Sequence, residues 1–364
     1  MFRTCVRAHA NIQVAKIRKK TLVKKKSRTF ALFYLYSTIA RLMYYILTIL
    51  AFIALELLYF AIAKKFNIVD RPNERSSHTK PVLLGGGVLF YLALLFYSLT
   101  HQLAFPQFLL GASILAVVSY VDDLRGLPSG LRFLAQLAAL LLSFYVEIST
   151  LQIWQMVLLI VFFAGVLNVY NFLDGINGML AGYSLVVIGT FEYMNLFVTH
   201  FVDHELMATL LAAVLVFGFF NFRKKARCFS GDVGSIVMGL IVLFLLVRYD
   251  RAVPDNGENL SFLTFIIVFL ADGLLTIAKR FLNGRNILQP HREHLYETLV
   301  NDLKVPHLCV SSGYAILQIL INVGYFLVSD KNTYTFIVAF VLIVSYGLFF
   351  FYFNEKCLNK TSEN

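Results

Sequence analysis

The stretch FLLGASILAVVSYVDDLRGLPSG, residues 108–130, poses the question on which the fold turns. Its first half is apolar enough to lie in hydrocarbon, yet it runs directly into two adjacent carboxylates, Asp122 and Asp123. Taking each charge out of water costs several kcal/mol. Either a salt-bridged loop begins there, or something positive binds.

Composition settles the class of the chain. Of 364 residues, 59% are hydrophobic and only 15% charged, whereas a soluble domain is nearer half apolar and a quarter charged. The chain therefore reads as an all-α, polytopic integral membrane protein. Its formal net charge of +11 looks like a nucleic-acid signal until it is located. Residues 1–42 hold 11 of the 32 basic residues and no acidic one, which leaves 21 basic against 21 acidic residues in a neutral remainder. The charge marks a basic N-terminal extension and says nothing about nucleic acid, and no nucleic-acid partner is expected. Cys5, Cys228, Cys309 and Cys357 lie far apart without metal-ligand spacing and are expected to be free thiols.

A bilayer crossing needs about 20 apolar residues. The pattern predicts about 10–11 transmembrane helices, with eleven candidates at 43–63, 82–100, 107–121, 131–147, 152–170, 178–198, 205–222, 232–248, 260–280, 309–328 and 334–353. Residues 43–353 then form the membrane domain and 354–364 a cytoplasmic tail. The connecting loops fall into two alternating sets. Counted with their flanking helix ends, 64–81, 122–130, 171–177, 223–231, 281–308 and the tail carry 18 Lys and Arg; the other set carries 3. Short cytoplasmic loops are enriched in Lys and Arg, so the first set is expected inside the cell.

The basic segment 1–42 lands on the wrong side of that arrangement. Met43 begins the first clean span, and the reading expects the natural start at or near it, with 1–42 a translated upstream segment. The competing reading is an interfacial amphipathic helix held on anionic lipid. No compact apolar core and cleavage site follow the basic runs, which argues against a signal peptide.

Every polar motif falls in the first loop set. VDRPNERSSHTKPVLLGGG (69–87) offers Arg71, Arg75, His78 and Lys80 ahead of three glycines. These suit phosphate contact and close backbone approach, or merely inside charge and a glycine-packed helix. VDDLRG (121–126) follows. NVYNFLDGING (168–178) concentrates Asn168, Asn171, Asp174 and Asn177 at a helix end, more amides than a short solvated loop requires. NFRKKARCFSGDVGS (221–235) places Asp232 at the start of the next helix, where Asp232 or Ser230 would also serve as an ordinary cap. GRNILQPHREHLYE (284–297) supplies Arg285, His291, Arg292, His294 and Glu297. His291 and His294 share a helical face suited to metal, while Arg292 between them suits phosphate equally.

Four carboxylates from three loops (Asp122, Asp123, Asp174, Asp232) with no cysteine nearby suit a hard cation such as magnesium, with manganese as a substitute. Basic groups from the first and fifth loops would complete a site for a diphosphate. Asp272 lies within a predicted span, eight positions before Arg280 and near the same face. An ionisable residue there reads as functional or as a packing pair. Glu56 and Glu192 have no functional account at this level.

In order, from about Val69 to Leu299, the motifs resemble those of the polyprenyl-phosphate N-acetylhexosamine-1-phosphate transferases, a family that includes the undecaprenyl-phosphate GlcNAc-1-phosphate transferases and, more distantly, the phospho-MurNAc-pentapeptide translocases. The resemblance implies a multi-pass protein of the bacterial inner membrane with its active site on the cytoplasmic face. It implies a magnesium-dependent transfer of HexNAc-1-phosphate, most simply GlcNAc-1-phosphate, from a UDP-HexNAc to undecaprenyl phosphate, releasing UMP and initiating a cell-envelope polysaccharide such as O-antigen or capsule. Carried over by position, Asp232 and Asp123 hold the metal, and Asp122, Asp123 and Asp174 are the catalytic candidates. Asn171, Lys80, Arg285, His291, Arg292 and His294 would bind substrate. Two departures stand out. Asn177 occupies a position where the family often has aspartate, and HREH replaces the three consecutive histidines of the translocases, which argues against a MurNAc-pentapeptide substrate. Membrane lipid is an expected neighbour, and a homodimer is left open. The rival from another class is a secondary transporter, which would place its polar groups near the midplane of several helices.

Overall fold

The computed structural model describes residues 38–39, 42–72, 80–253, 260–286, 289 and 291–362. The chain divides into two units, residues 1–50 and 51–364. Most of segment 1–42, including every basic residue in it, lies outside the described residues. In the first unit, Thr48 donates back to the Tyr44 carbonyl at 2.9 Å. Apart from the start of α1, all that follows concerns the second.

Helices occupy all eleven expected positions. Nine are long and apolar enough to cross a membrane among the described residues: α1 (Leu42–Lys65), α3 (Pro106–Arg125), α6 (Ile153–Phe172), α7 (Met179–Phe197), α8 (His204–Asn221), α9 (Gly231–Ala252), α10 with the 3-10 turn before it (Ser261–Leu282), α12 (His307–Leu327) and α13, whose apolar part is Lys331–Tyr352. The other two, α2 (Val88–Thr100) and α4 (Ser129–Ser143), have 13 and 15 residues. At 1.5 Å per residue these reach only about 20 Å, short of a hydrocarbon core of about 30 Å. Two short helices are α5 (Tyr145–Ile148) and α11 (Leu295–Glu297).

At the centre stands α9. Every residue from Val233 to Leu246 is buried, as expected for a helix apolar on all sides. Helices α3 and α6 pack along it. By contrast only 6% of the apolar window of α13 is buried, leaving the rest for lipid. Contacts at one end join the first, third and fourth motif loops: β1 (Val69–Asp70) pairs with β2 (Val82–Leu83), Leu83 bridges to Cys228, and Asn177 donates to the Arg223 carbonyl at 2.8 Å. At the opposite end Tyr97 donates to Asp203 at 2.6 Å. These contacts fall within the two loop sets that charge had grouped.

The glycines of the first motif have a structural use. Gly86 and Gly87 donate their backbone N–H groups to the carbonyls of Phe229 and Ser230, at 2.8 and 3.0 Å. Those donors are consumed within the fold, which corrects the idea that they cradle phosphate. The same contact lets α2 meet α9 backbone to backbone: a Cβ on Gly234 would sit 2.6 Å from the Gly87 Cα and 2.7 Å from the Ser230 Cβ. Cys228 and Cys309 are free thiols, as expected.

Gly234→Ala is expected to destabilise the detergent-solubilised protein by about 1–3 kcal/mol through overpacking, read as a lower thermal unfolding midpoint. Gly165→Ala, where nothing lies within 4 Å of the added Cβ, should leave the midpoint unchanged or slightly raised.

Candidate active site

The paired aspartates are not in a loop. Helix α3 continues through both and ends at Gly126, whose φ of +69° favours glycine. The pair then splits in function, because consecutive helical residues point about 100° apart. Asp122 turns toward α4, accepting the Leu127 N–H at 2.6 Å and pairing with Arg132 at 2.9 Å. Asp123 turns toward α9. Its two carboxylate oxygens accept the backbone N–H groups of Asp232 and Val233, at 2.9 and 3.2 Å.

This cross-chain cap decides the chemistry of the next motif. The first N–H groups of a helix lack internal partners and carry partial positive charge. Asp123 supplies both, and no side chain at Ser230 caps α9, contrary to the plain capping reading of the sequence. Gly231 must be glycine for this to work, with φ at +72° and any Cβ 2.5 Å from the Asp123 Oδ2. The Asp232 side chain is thereby released from capping. One oxygen accepts the Asn171 side-chain amide at 2.8 Å, and the other lies 3.9 Å from Arg132. With 31% of its side chain exposed, Asp232 remains open to solvent and to a ligand.

Asn171 lies on the last turn of α6 and also donates to Ser235 at 3.0 Å. Three residues on, Asp174 sits in the turn before α7 and accepts the Ser230 hydroxyl. Burial pushes the Asp174 carboxyl well above the usual carboxylate range, and the Asp232 and Asp123 carboxylates add to the rise. The three acids from separate segments thus share one electrostatic site. Asn177 is buried and structural: its amide bridges to the 223–224 backbone, and its carbonyl accepts from Ser311 at 2.7 Å.

The fifth loop packs beside this turn. Tyr296 donates to the Phe172 carbonyl at 2.8 Å, and its hydroxyl occupies the space that a side chain at position 175 would need. The His291 ring lies against Phe172 and His294, with centroid separations of 6.1 and 5.0 Å. His294 is buried at 2% exposure, its Nδ1 3.5 Å from Asp272. Its expected place against substrate is corrected accordingly: the ring is buried, while His291 and Arg292 are half-buried. Arg285 and Arg280 both pair with Glu293, so Arg280 is not the partner of Asp272 that their spacing suggested. Lys80 is exposed ahead of β2 and forms no ion pair with the four carboxylates among the described residues.

Among the described residues no trio of His, Cys, Asp or Glu is arranged to hold a metal by itself. The donor set is half-exposed Asp232, with Asp174 and Asp123 beside it, all oxygen. That fits magnesium, which commonly keeps waters and takes one or two carboxylates plus substrate phosphates, and does not fit an all-protein cage. Asp123 still has a second lone pair on each oxygen.

Sequence reasoning missed two members of the site. Arg132 bridges Asp122 and Asp232, and its only signal was a lone cation at the start of an apolar helix. Ser230 was visible only as a cap, and its true partner lies 56 residues away.

The family model for glycosyl transferase family 4 matches residues 105–250, the span from α3 to α9 that carries all four aspartates. The chain is 26% identical over 278 residues to the probable undecaprenyl-phosphate N-acetylglucosaminyl 1-phosphate transferase of Bacillus subtilis, covering 70% of this chain and 76% of that protein. It is 25% identical over 325 residues to the undecaprenyl-phosphate alpha-N-acetylglucosaminyl 1-phosphate transferase of Escherichia coli K12, covering 81% and 85%. The decaprenyl-phosphate N-acetylglucosaminephosphotransferase of Mycolicibacterium smegmatis is 24% identical over 321 residues, covering 76% and 77%.

Burial, with the nearby His294 and Arg280, pushes His291 down to about 4. Between about pH 6.5 and 4 the unfolded chain binds a proton at this position that the folded chain refuses, so stability falls as pH falls through that window. His291→Gln should remove this component. Thermal unfolding midpoints measured from pH 7 to 4 should fall less steeply for the variant than for the unmodified protein.

Proposed function

We propose, from the premise that this chain belongs to the polyprenyl-phosphate N-acetylhexosamine-1-phosphate transferase family, that it joins GlcNAc-1-phosphate from UDP-GlcNAc to undecaprenyl phosphate. A phosphate oxygen of the lipid attacks the sugar-linked phosphorus of the nucleotide sugar. The bond from that phosphorus to the bridging oxygen breaks, and UMP leaves with the electron pair. The relatives named above act on polyprenyl phosphates and GlcNAc, which favours this donor over other HexNAc sugars. The observation that carries the reading is the Asp123 cap on α9, which turns Asp232 out beside Asn171 and Asp174 at one end of the bundle.

The chemistry needs little from a protein base. A phosphate monoester has its second pKa near about 6 and is largely a dianion at neutral pH, so the obstacle is repulsion between two anions. Phosphoryl transfer depends on positioning and charge compensation. Magnesium, or manganese in its place, would supply Lewis-acid charge neutralisation at the diphosphate, held by Asp232 with Asp123 and Asp174 close by. Asn171 orients Asp232 through its amide. Arg132, bridging Asp122 and Asp232, lies at the exposed edge where an anionic head group can meet it. Arg292 and His291, half-buried in the fifth loop, are further candidates for contact with the nucleotide sugar. His291, its pKa pushed down to about 4, is neutral at physiological pH and acts as a hydrogen-bonding group.

The membrane setting fits the substrates, one a lipid with its phosphate at the interface and the other a soluble, highly charged nucleotide sugar. Lys and Arg concentrate in the loops at the motif end of the bundle, 18 against 3, and support a site on the cytoplasmic face of a bacterial inner membrane. The product would begin a cell-envelope polysaccharide. The transporter reading is disfavoured because the acidic cluster lies at helix ends rather than midway along several helices.

Purified protein mixed with UDP-GlcNAc, undecaprenyl phosphate and magnesium should release UMP, and chelation with EDTA should stop release until the metal is restored. Asp232→Asn and Asp123→Asn should each reduce turnover by about a hundredfold or more while the protein still inserts and purifies as a folded species. Full activity in either variant would remove the metal-site reading.

A further inference from the structure

We propose that Asp272, deep in α10, is a positioning residue that sets the substrate-facing segment 291–297 against the Asn171–Gly175 turn. The kinetic half of this proposal rests on the transferase reading above. Asp272 is 3% exposed, and its carboxylate faces donors from three directions. From the fifth loop, Leu295 and Tyr296 donate their backbone N–H groups at 2.9 and 3.4 Å. From α12, the Tyr314 hydroxyl donates at 2.6 Å. From its own helix, Thr276 donates at 3.2 Å. The Nδ1 of His294 lies 3.5 Å from the same carboxylate.

A carboxylate so deeply buried is a poor way merely to hold helices together, because apolar side chains of similar volume do that at lower cost. What it supplies is direction. α11 and the π-helical turn that continues it, Thr298–Asp302, make only eight helical residues, too few to sustain an isolated helix, so its first N–H groups need an external acceptor to hold their orientation. Asp272 is that acceptor for Leu295 and Tyr296. Tyr296, whose N–H it binds, carries the constraint onward: the Tyr296 hydroxyl donates to the Phe172 carbonyl at 2.8 Å, one residue from Asn171. Asp272 thus acts on the site through Tyr296 without reaching it. A second clamp closes the loop's other end, where Arg280, itself 5% exposed, binds Glu293 and the Asn286 carbonyl.

The test compares Asp272→Asn and Asp272→Glu in the full-length protein, using amide hydrogen exchange together with steady-state kinetics of UMP release. Asparagine keeps the size but turns one acceptor oxygen into a donor facing other donors. The Leu295 and Tyr296 amides should exchange about tenfold faster or more in Asp272→Asn. Its kcat should fall about tenfold or more, with the KM for undecaprenyl phosphate unmoved. Asp272→Glu, which keeps the charge, should recover part of both. Unchanged exchange at Leu295 and Tyr296 in Asp272→Asn would overturn the proposal. So would a loss of rate matched by a fall in the folded fraction, with kcat per folded molecule unaltered. If the unmodified protein released no UMP, the transferase reading would fail, and the exchange result would still decide the anchoring role of Asp272.

Discussion

One hydrogen-bonded junction organises this end of the molecule: the carboxylate of Asp123 on the first two side-chain-bearing amides of α9. A helix N-terminus inside a membrane protein presents N–H groups that water cannot reach, and an anion there contributes about 0.3–2 kcal/mol. More consequential than the energy is the division of labour. By taking the cap, Asp123 leaves Asp232 free to face outward, and Gly231 lets the two chains approach closely enough for this to occur. The Gly87–Gly234 contact holds α2 against the same turn, so the first, second and fourth motifs meet around one helix end.

Burial and exposure are graded around that junction. Asp174 is held close to Ser230 with its pKa raised, Asp232 is half-open, and Arg132 is exposed on its far side. Like charges that share one site oppose one another's ionisation. Carboxylates kept this close without a counter-cation are therefore under electrostatic tension, which a divalent ion or a protonated member relieves. That tension also explains why Asn171 and Arg132 both address Asp232: each stabilises the charged form of the most exposed acid.

A second buried polar network supports the fifth loop. It runs from Asp272 through the Leu295 and Tyr296 amides to the Phe172 carbonyl, and from Arg280 through Glu293 to the loop's start. Buried networks of this kind hold one arrangement when every member is satisfied. Here they serve a loop whose own helical structure is confined to Leu295–Asp302. The site is accordingly built from helix ends, with the long connection between α10 and α12 tied down at both sides.

What the sequence determined by itself was whatever depends on local patterning. Long apolar runs located eleven helices, nine of them long enough among the described residues to cross the hydrocarbon, whose thickness imposes a length while every backbone polar group must be satisfied within the helix. Lys and Arg counts placed the motifs at one end, and the four aspartates were recognisable as acids with no local partner. Their individual roles were not legible. Asp122 and Asp123 are adjacent in the chain and identical in type, yet one binds Arg132 and the other caps a helix 109 residues later. Asp272 seemed paired with Arg280 on helical spacing, but its donors come from the fifth loop and α12. His294 looked like a substrate ligand until packing buried it. Only the tertiary structure decided these roles, because a carboxylate takes its function from the donors that surround it, and those donors arrive from distant segments only after the helices have packed.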